Sequence, residues 1–292
     1  MKKLCNMCPR GCMVDREKNM GVCGVSRKPR IAKAYLHQWE EPVISGEKGS
    51  GTIFFAGCNL KCVYCQNYEL SHNAVGTDVS IERLSEIFRE LENAGATNIN
   101  LVTPTHYVDE IISALDIYRP NIPIVYNSSG YDSIASLKKL KDYIDIYLVD
   151  FKYLDSGIAL KYSKALDYPD IVKANIIEMK KNQPVNIIEN DVMKKGVIIR
   201  HLVLPNHTDD SIKILQWIKD NVDSPFISLM GQYVPMYKAK DFPEINRKLK
   251  PIEYKIVLNK LVELGLTDGY AQDLSSAVDT YTPVWDGQGV NN

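Results

Sequence analysis

The sequence lacks several features that would fix its class immediately. No apolar run approaches the roughly 18 residues that a membrane-spanning helix needs, so we expect no membrane partner. The 292 residues carry a formal charge of −1, which provides no bulk attraction to nucleic acid. The basic first residues are not followed by an apolar stretch, so we expect no secretory signal and a cytoplasmic location.

Cysteine is absent beyond residue 65, and the seven cysteines that precede this point form two groups. In a chain without a secretory signal, such clustering indicates metal binding and not disulfides. The first group is Cys5, Cys8, Cys12 and Cys23, and the second is Cys58, Cys62 and Cys65.

The second group has the spacing Cys-x3-Cys-x2-Cys and no fourth cysteine after it. A cubane iron–sulfur cluster has four irons, so three thiolates leave one iron open to a ligand from outside the protein. An open position is what catalysis at a metal needs, whereas closed sites are structural. Structural zinc and buried free thiols are the alternatives, although zinc knuckles usually show paired Cys-x2-Cys modules.

The first group can close around one metal or cluster, because it places four thiolates within residues 5–23. This segment is too short to bury a hydrophobic core, so a bound metal or cluster would be needed to stabilise its fold. Two interpretations stay open, a second [4Fe-4S] cluster or tetrahedral zinc.

Strand and helix signals alternate after the cysteines, which predicts an α/β fold with a parallel sheet. We expect a partial (β/α)6 TIM-like barrel over residues 51–292 with a C-terminal tail, a linker at 31–50 and a small cysteine-rich segment at 1–30. The predicted strands are residues 51–57, 98–102, 122–126, 144–150, 197–203 and 226–230. The predicted helices are residues 80–95, 108–118, 132–140, 156–181 (with a break at Tyr168-Pro169), 209–222 and 252–265.

The second cysteine group, with Tyr64 directly before its last cysteine, resembles the radical S-adenosylmethionine (radical SAM) superfamily. The resemblance implies that SAM chelates the open iron through its amino and carboxylate groups. An electron from the cluster then cleaves the sulfonium to a 5′-deoxyadenosyl radical, which abstracts hydrogen from a substrate. It also implies a low-potential electron donor such as flavodoxin or ferredoxin.

The ends of the predicted strands carry the other candidate site residues, because active sites of such barrels lie there. The resemblance extends at these ends to relatives of pyruvate formate-lyase activating enzyme, and implies SAM or cation contacts for several of them. No Gly-Gly-Glu segment follows the second strand, and Asn127 stands where those activating enzymes have an acid. The cofactor-binding candidates are Tyr64, Thr103, Thr105, Asn127, Ser128, Asp150, Lys152, Arg200 and Gln232. Arg200 is the candidate for the SAM carboxylate and Gln232 for the ribose; His106 is either a proton carrier or structural.

Three functions remain open at this level. The first is an oxidoreductase that activates a glycyl-radical enzyme by taking hydrogen from a glycine on that partner. The second is a radical SAM enzyme that acts on a small molecule or a peptide. The third is a non-catalytic zinc-binding or electron-transfer protein. The aromatic-rich stretch from Asp268 to Trp285 is either a lid over the site or a packing tail.

Overall fold

The computed structural model describes residues 4–274 and 283–291. The strands are β1 (Arg30–His37), β2 (Ser50–Phe55), β3 (Thr77–Asp78), β4 (Ile99–Val102), β5 (Ile124–Ser128), β6 (Ile146–Asp150), β7 (Ile187–Glu189), β8 (Val192–Leu202), β9 (Phe226–Met230) and β10 (Gly269–Ala271). The helices are α1 (Pro42–Ser45), α2 (Tyr68–Ser71), α3 (Ile81–Asn93), α4 (Val108–Ile117), α5 (Ile134–Leu140), α6 (Ser156–Ser163), α7 (Tyr168–Asn182), α8 (Thr208–Asn221) and α9 (Pro251–Glu263).

One sheet organises the molecule, with the order β10-β9-β8-β6-β5-β4-β2-β1-β3. From β2 to β10 all neighbours along this path are parallel. The predicted strands correspond in order to β2, β4, β5, β6, β8 and β9, so the α/β fold with a mostly parallel, open sheet is confirmed. Strands such as β6 are buried on both faces, because the intervening helices cover the sheet.

The predicted linker at residues 31–50 is wrong, because most of it belongs to the sheet. Strand β1 pairs antiparallel with β2, from Ile31 opposite Phe55 to His37 opposite Ser50. Its end therefore lies at the amino-terminal edge of the parallel strands, where α1 follows and closes the base of the barrel. Asn98, directly before β4, holds α1 there by donating a hydrogen bond of 2.6 Å to the carbonyl of Ile44.

Local sequence explains where the helices begin. Ser80 caps α3 by accepting a hydrogen bond from the backbone N–H of Arg83. The predicted helix at residues 156–181 is two helices, since Tyr168-Pro169 begins α7 and does not merely bend a longer helix. Proline is tolerated in a first turn, where its missing N–H has no partner to lose.

The C-terminal part adds strand β10 to the sheet and then packs on β1. Beyond the undescribed residues, the ring of Trp285 contacts Phe54 with centroids 5.2 Å apart, and Gln288 accepts a hydrogen bond from the N–H of Ala34. Among the described residues, no helix has the length and apolar character that crossing a bilayer requires.

Gly130 should be essential for the turn after β5. Its φ is +78°, and a Cβ there would lie 2.6 Å from the carbonyl oxygen of Asp150 and from Val172. We expect Gly130→Ala to lower the free energy of unfolding by about 2–4 kcal/mol, measured by urea denaturation. Gly95→Ala is the matched control, because Gly95 also has positive φ but nothing within 4 Å of the added Cβ. The control should cost only about 1 kcal/mol, and equal losses would contradict the packing argument.

Candidate active site

A cavity of about 820 Å³ opens at the carboxyl ends of the central strands, within the range of small-molecule sites. The structure brings every predicted site residue of the barrel to this cavity except Thr105. The predicted site residues that line the cavity are Cys58, Cys62, Tyr64, Cys65, Thr103, Asn127, Ser128, Asp150, Lys152, Arg200 and Gln232. The parallel strands explain this convergence, because their carboxyl ends meet at one edge of the sheet.

The loop after β2 presents the three thiols to the cavity, where neighbouring groups donate hydrogen bonds to each sulfur. The hydroxyl of Ser163 donates to Cys62 Sγ at 3.2 Å, and the hydroxyl of Ser71 donates to Cys65 Sγ at 3.3 Å. The N–H of Leu60 donates to the sulfur of Cys58 at 3.4 Å. Such donors stabilise negative charge on sulfur, so the loop is built to hold thiolates.

Burial, together with the neighbouring Cys62, raises the pKa of the Cys65 thiol to about 12. Burial also raises the pKa of Cys58. Cys58 and Cys65 therefore favour the protonated form, and a metal or cluster that bound them would displace these protons.

Tyr64 forms part of the cavity wall and is fixed by its hydroxyl. Its oxygen lies 2.6 Å from that of Tyr153, whose hydroxyl lies 2.9 Å from Ser163 Oγ. Since Ser163 also donates to Cys62, one hydrogen-bonded chain joins the cavity wall to a candidate ligand. Tyr64 thereby fixes the orientation of the loop between Cys62 and Cys65.

Asp150 is the centre of a charged cluster in the cavity. Its carboxylate accepts hydrogen bonds of 2.6 Å from Arg200 Nε and from Lys152 Nζ. Burial alone would raise the pKa of Asp150, but the charges of Arg200 and Lys152 outweigh it and lower the pKa to about 2. Arg200 also donates to Asn127 Oδ1 at 3.0 Å and lies 3.6 Å from a carboxylate oxygen of Glu40.

Arg200 is therefore already paired when no ligand is present. Strand register sets this arrangement, because Arg200 of β8 lies directly beside Asp150 of β6. A carboxylate that bound Arg200 would have to share it with these partners. Lys152 forms an ion pair with Asp150, and against the opposing effect of burial Asp150 and the nearby Cys62 raise the pKa of Lys152.

Thr105 and His106 point away from the cavity. Thr105 donates a hydrogen bond of 2.6 Å to Asp132, a buried carboxyl that also binds Tyr126 and Ser128. His106 Nε2 donates to the carbonyl of Ala56 at 2.9 Å, and burial lowers the pKa of His106 to about 3. The structure thus gives both side chains packing partners and does not place them where a ligand in the cavity would reach them.

Sequence reasoning missed the acidic residues at the base of the cavity. Glu40 and Glu41 come from the segment between β1 and α1, and both line the cavity. Glu41 accepts a hydrogen bond of 2.8 Å from Ser228 in β9. Burial raises the pKa of both carboxyls. The strand-like run before Glu40 and the proline at the start of α1 are the signals that could have placed them.

The predicted lid or packing tail is described only in part. Ala271, Gln272 and Pro283 line the cavity, so both described ends of the stretch from Asp268 to Trp285 reach the site. Residues 275–282 lie outside the described part of the chain, and the choice between lid and tail stays a prediction.

The four N-terminal cysteines lie beside the Cys58 loop. The N–H of Cys58 donates a hydrogen bond of 3.2 Å to the carbonyl of Cys23. Within residues 4–274 and 283–291, no three histidine, cysteine, aspartate or glutamate side chains are arranged to hold a metal ion. The assignment of either cysteine group to iron therefore depends on donor chemistry and position.

Comparison with known proteins supplies the family context. The Radical SAM superfamily model matches residues 52–218. An uncharacterized protein of Methanocaldococcus jannaschii, MJ0674, is 36% identical over 278 residues, covering 90% of this chain and 76% of its own length. A second uncharacterized protein of that organism, MJ0808, is 23% identical over 313 residues, covering 97% of this chain and 85% of its own.

Solved structures share the fold at low identity. SuiB of Streptococcus suis bound to its precursor peptide SuiA gives a TM-score of 0.51 at 13% identity, covering 75% of this chain and 48% of SuiB. Methylornithine synthase (PylB) gives 0.51 at 14% identity, covering 73% of this chain and 60% of that enzyme. The chain therefore spans about half the length of SuiB, and these likenesses show the fold alone.

Asp150→Asn should destabilise the protein strongly, since it leaves Arg200 and Lys152 without their common carboxylate. We expect a loss of about 3–5 kcal/mol in the free energy of unfolding. Glu263→Gln, which removes an exposed ion pair with Lys260, is the control and should cost at most about 1 kcal/mol.

The difference in the free energy of unfolding between wild type and Asp150→Asn should depend on pH. The pKa of Asp150 falls from an ordinary 3.8 to about 2, so its stabilising effect is present above 3.8 and is lost as pH falls through 2. The stability difference between wild type and Asp150→Asn should narrow over that interval. A difference that did not change with pH would contradict the ion-pair argument.

Proposed function

This chain belongs to the radical SAM superfamily, and on that premise we propose that it binds a [4Fe-4S] cluster through Cys58, Cys62 and Cys65 and cleaves SAM in the same cavity. The observation that carries the proposal is that three thiols open onto a cavity that also contains paired cations, carboxylates and amides. The family implies the two cofactors, and the residues present fit them.

The fit depends on the donor set around the sulfurs. Each thiol receives at least one hydrogen bond, and Lys152 lies close enough to favour negative charge on Cys58 and Cys65. Three thiolates leave one iron of a cubane for a non-protein ligand. When bound, the cluster supplies the electron that cleaves the sulfonium bond of SAM.

The protein's own residues position and shield the reactants. Lys152 and Arg200 are the cations that a SAM carboxylate would meet, and Asp150 holds both in place before SAM binds. Asn127 and Ser128 supply oxygens at the neighbouring strand end, and Gln232 supplies an amide beyond β9. Tyr64 and the base formed by α1 wall the inner cavity.

For the substrate, we propose that the enzyme takes hydrogen from a glycine of a partner glycyl-radical enzyme. The strand-end residues Ser128, Asp150 and Lys152 support this choice, because they match the activating-enzyme pattern and all three line the cavity. A sheet that ends at β10, without pairing back to β3 in the described chain, leaves a side through which a peptide loop can enter.

The second candidate function is a radical SAM enzyme that acts on a small molecule or a peptide. Glu40 and Glu41 favour it, because two buried carboxyl groups at the base of the cavity suit a cationic group on a small substrate. The printed names of two structural neighbours agree with this second candidate only, since SuiB is described with a precursor peptide and PylB as methylornithine synthase.

Cluster binding is tested with the triple variant Cys58→Ala, Cys62→Ala, Cys65→Ala. After anaerobic reconstitution we expect it to hold about four fewer irons per chain than wild type and to form no 5′-deoxyadenosine from SAM. Ser113→Ala, on the exposed face of α4, is the control and should match wild type. Unchanged iron content, or a reduced wild-type electron paramagnetic resonance spectrum that SAM does not alter, would support a non-catalytic protein.

The substrate proposal is tested by incubating the reduced enzyme and SAM with a glycyl-radical enzyme. We expect an organic radical signal on that partner, and none when the triple cysteine variant replaces wild type. Formation of 5′-deoxyadenosine without a partner radical would reject the activating role and favour the second candidate.

The two serine donors should tune the cluster. Hydrogen bonds to cluster sulfurs stabilise the reduced, more negative state, so their removal lowers the reduction potential. We therefore expect Ser71→Ala and Ser163→Ala each to give a more negative midpoint than wild type in a redox titration followed by electron paramagnetic resonance. Ser113→Ala should leave the midpoint unchanged, and a midpoint unaffected in all three variants would refute this role.

A further inference from the structure

The N-terminal segment, residues 4–29, is fastened to the loop that carries Cys58. Arg10 donates three hydrogen bonds to backbone carbonyls, at 2.7 Å to Asn59, at 2.9 Å to Ser163 and at 2.6 Å to Lys164. One guanidinium therefore joins the segment both to the candidate cluster loop and to the end of α6. The same α6 supplies Ser163, the donor to Cys62.

A direct link joins the two cysteine groups. The carbonyl of Cys23 accepts a hydrogen bond of 3.2 Å from the N–H of Cys58. A Cβ on Gly57 would lie 2.8 Å from the same carbonyl, and Gly57 has a φ of +82°, so the close approach requires glycine. A group bound at Cys23 and a group bound at Cys58 would thus be joined through the covalent bonds of the two cysteines and this one backbone hydrogen bond.

The four N-terminal cysteines lie near one another. Gly21 lies between Cys12 and Cys23, since its Cβ position is 3.4 Å from one sulfur and 3.6 Å from the other. The N–H of Val22 donates to Cys12 Sγ at 3.3 Å. Burial raises the pKa of Cys8 and of Cys23. The nearby Cys23 and Cys12 add to the rise for Cys8, and the nearby Cys5 adds to the rise for Cys23.

Apolar side chains lie on the outer surface of this segment, and the sequence of the segment is net basic although Arg16 is buried. Leu4, Met13, Met20 and Val22 flank the cysteines and are 42–65% exposed. Residues 4–29 contain five basic and two acidic side chains. Structural zinc has no need of such a surface, whereas a transient electron-transfer partner docks on apolar contacts and is steered by opposite charge.

We propose that Cys5, Cys8, Cys12 and Cys23 bind a second, redox-active [4Fe-4S] cluster through which electrons enter the protein. Its donor is an acidic, low-potential one-electron carrier protein that docks on Leu4, Met13, Met20 and Val22. One electron passes from the carrier to the N-terminal cluster, and from there to the Cys58 site through the Cys23–Cys58 hydrogen bond. The carrier is oxidised by one electron, the Cys58 site is reduced by one, and no bond or proton changes.

The first test separates this inference from the proposed function on which its final step rests. The triple variant Cys58→Ala, Cys62→Ala, Cys65→Ala retains only the N-terminal thiols. After anaerobic reconstitution we expect it to hold about four irons per chain and to show a reduced-cluster resonance signal with dithionite. One zinc per chain, or neither metal, would overturn the proposal whatever the Cys58 site does, since zinc has no redox chemistry.

The second test concerns electron entry, and uses the surface variant Met20→Glu, Val22→Glu, which keeps all seven cysteines. We expect it to retain the iron content of wild type and its reduction by dithionite, but to lose reduction by a flavodoxin. Val262→Glu, on an exposed site of α9, is the matched control and should behave as wild type. Unimpaired reduction of the surface variant by flavodoxin would overturn entry at this surface.

The third test concerns passage of the electron between the two sites, in Cys8→Ser, Cys12→Ser. Dithionite should still reduce the Cys58 site and support SAM cleavage, while flavodoxin should no longer do so. Retained flavodoxin-driven reduction of the Cys58 site would overturn the relay. If this variant fails to fold, the surface variant still decides between entry at the N-terminal segment and entry elsewhere.

Discussion

The compensation of buried charge is the constraint on which the site depends. Asp150 lies between Arg200 and Lys152, and its removal would leave two buried cations without their common carboxylate. Strand register puts Asp150 and Arg200 side by side, while Glu40 approaches Arg200 from the base. The cavity is therefore polar but electrostatically balanced before any ligand enters. A ligand with its own carboxylate and ammonium groups can exchange with these partners without leaving a bare charge.

Much of this arrangement was predictable from the sequence, because the strands show clear apolar runs and parallel strands end at a common edge. The sequence therefore predicted that Asp150, Lys152 and Arg200 would lie at the same edge of the sheet, but not that they would pair with one another. The prediction that Thr105 would reach the cavity was wrong, because the chain turns at Thr103 with a φ of +61° and continues into a 3₁₀ turn over Thr105–Tyr107. Side-chain direction in such an irregular turn depends on tertiary contacts, here the buried Asp132, and no periodicity reveals it.

The segment around β1 shows a different reason for failure. Its Glu-Pro and Gly-Ser sequences resemble a linker. The Glu-Pro sequence nevertheless begins the short helix α1 that closes the base, and the Gly-Ser sequences end α1 and lead into β2. Pairing with β2 decides the structure here, and pairing partners cannot be read from local composition. Glu40 and Glu41 were missed for this reason. The family match begins at residue 52, so the base and the N-terminal cysteines lie outside the part that the superfamily shares.

The depth of the Cys58 loop also has a consequence for how the protein matures. Burial raises the pKa of Cys65 to about 12 and that of Cys58 above its usual range, so both thiols favour the protonated form. Insertion of the proposed cluster would therefore expel protons from these two thiols, and alkaline conditions should favour it. Maturation is then a coupled exchange of protons for metal, and an assembly factor that accepts protons while delivering iron would accelerate it.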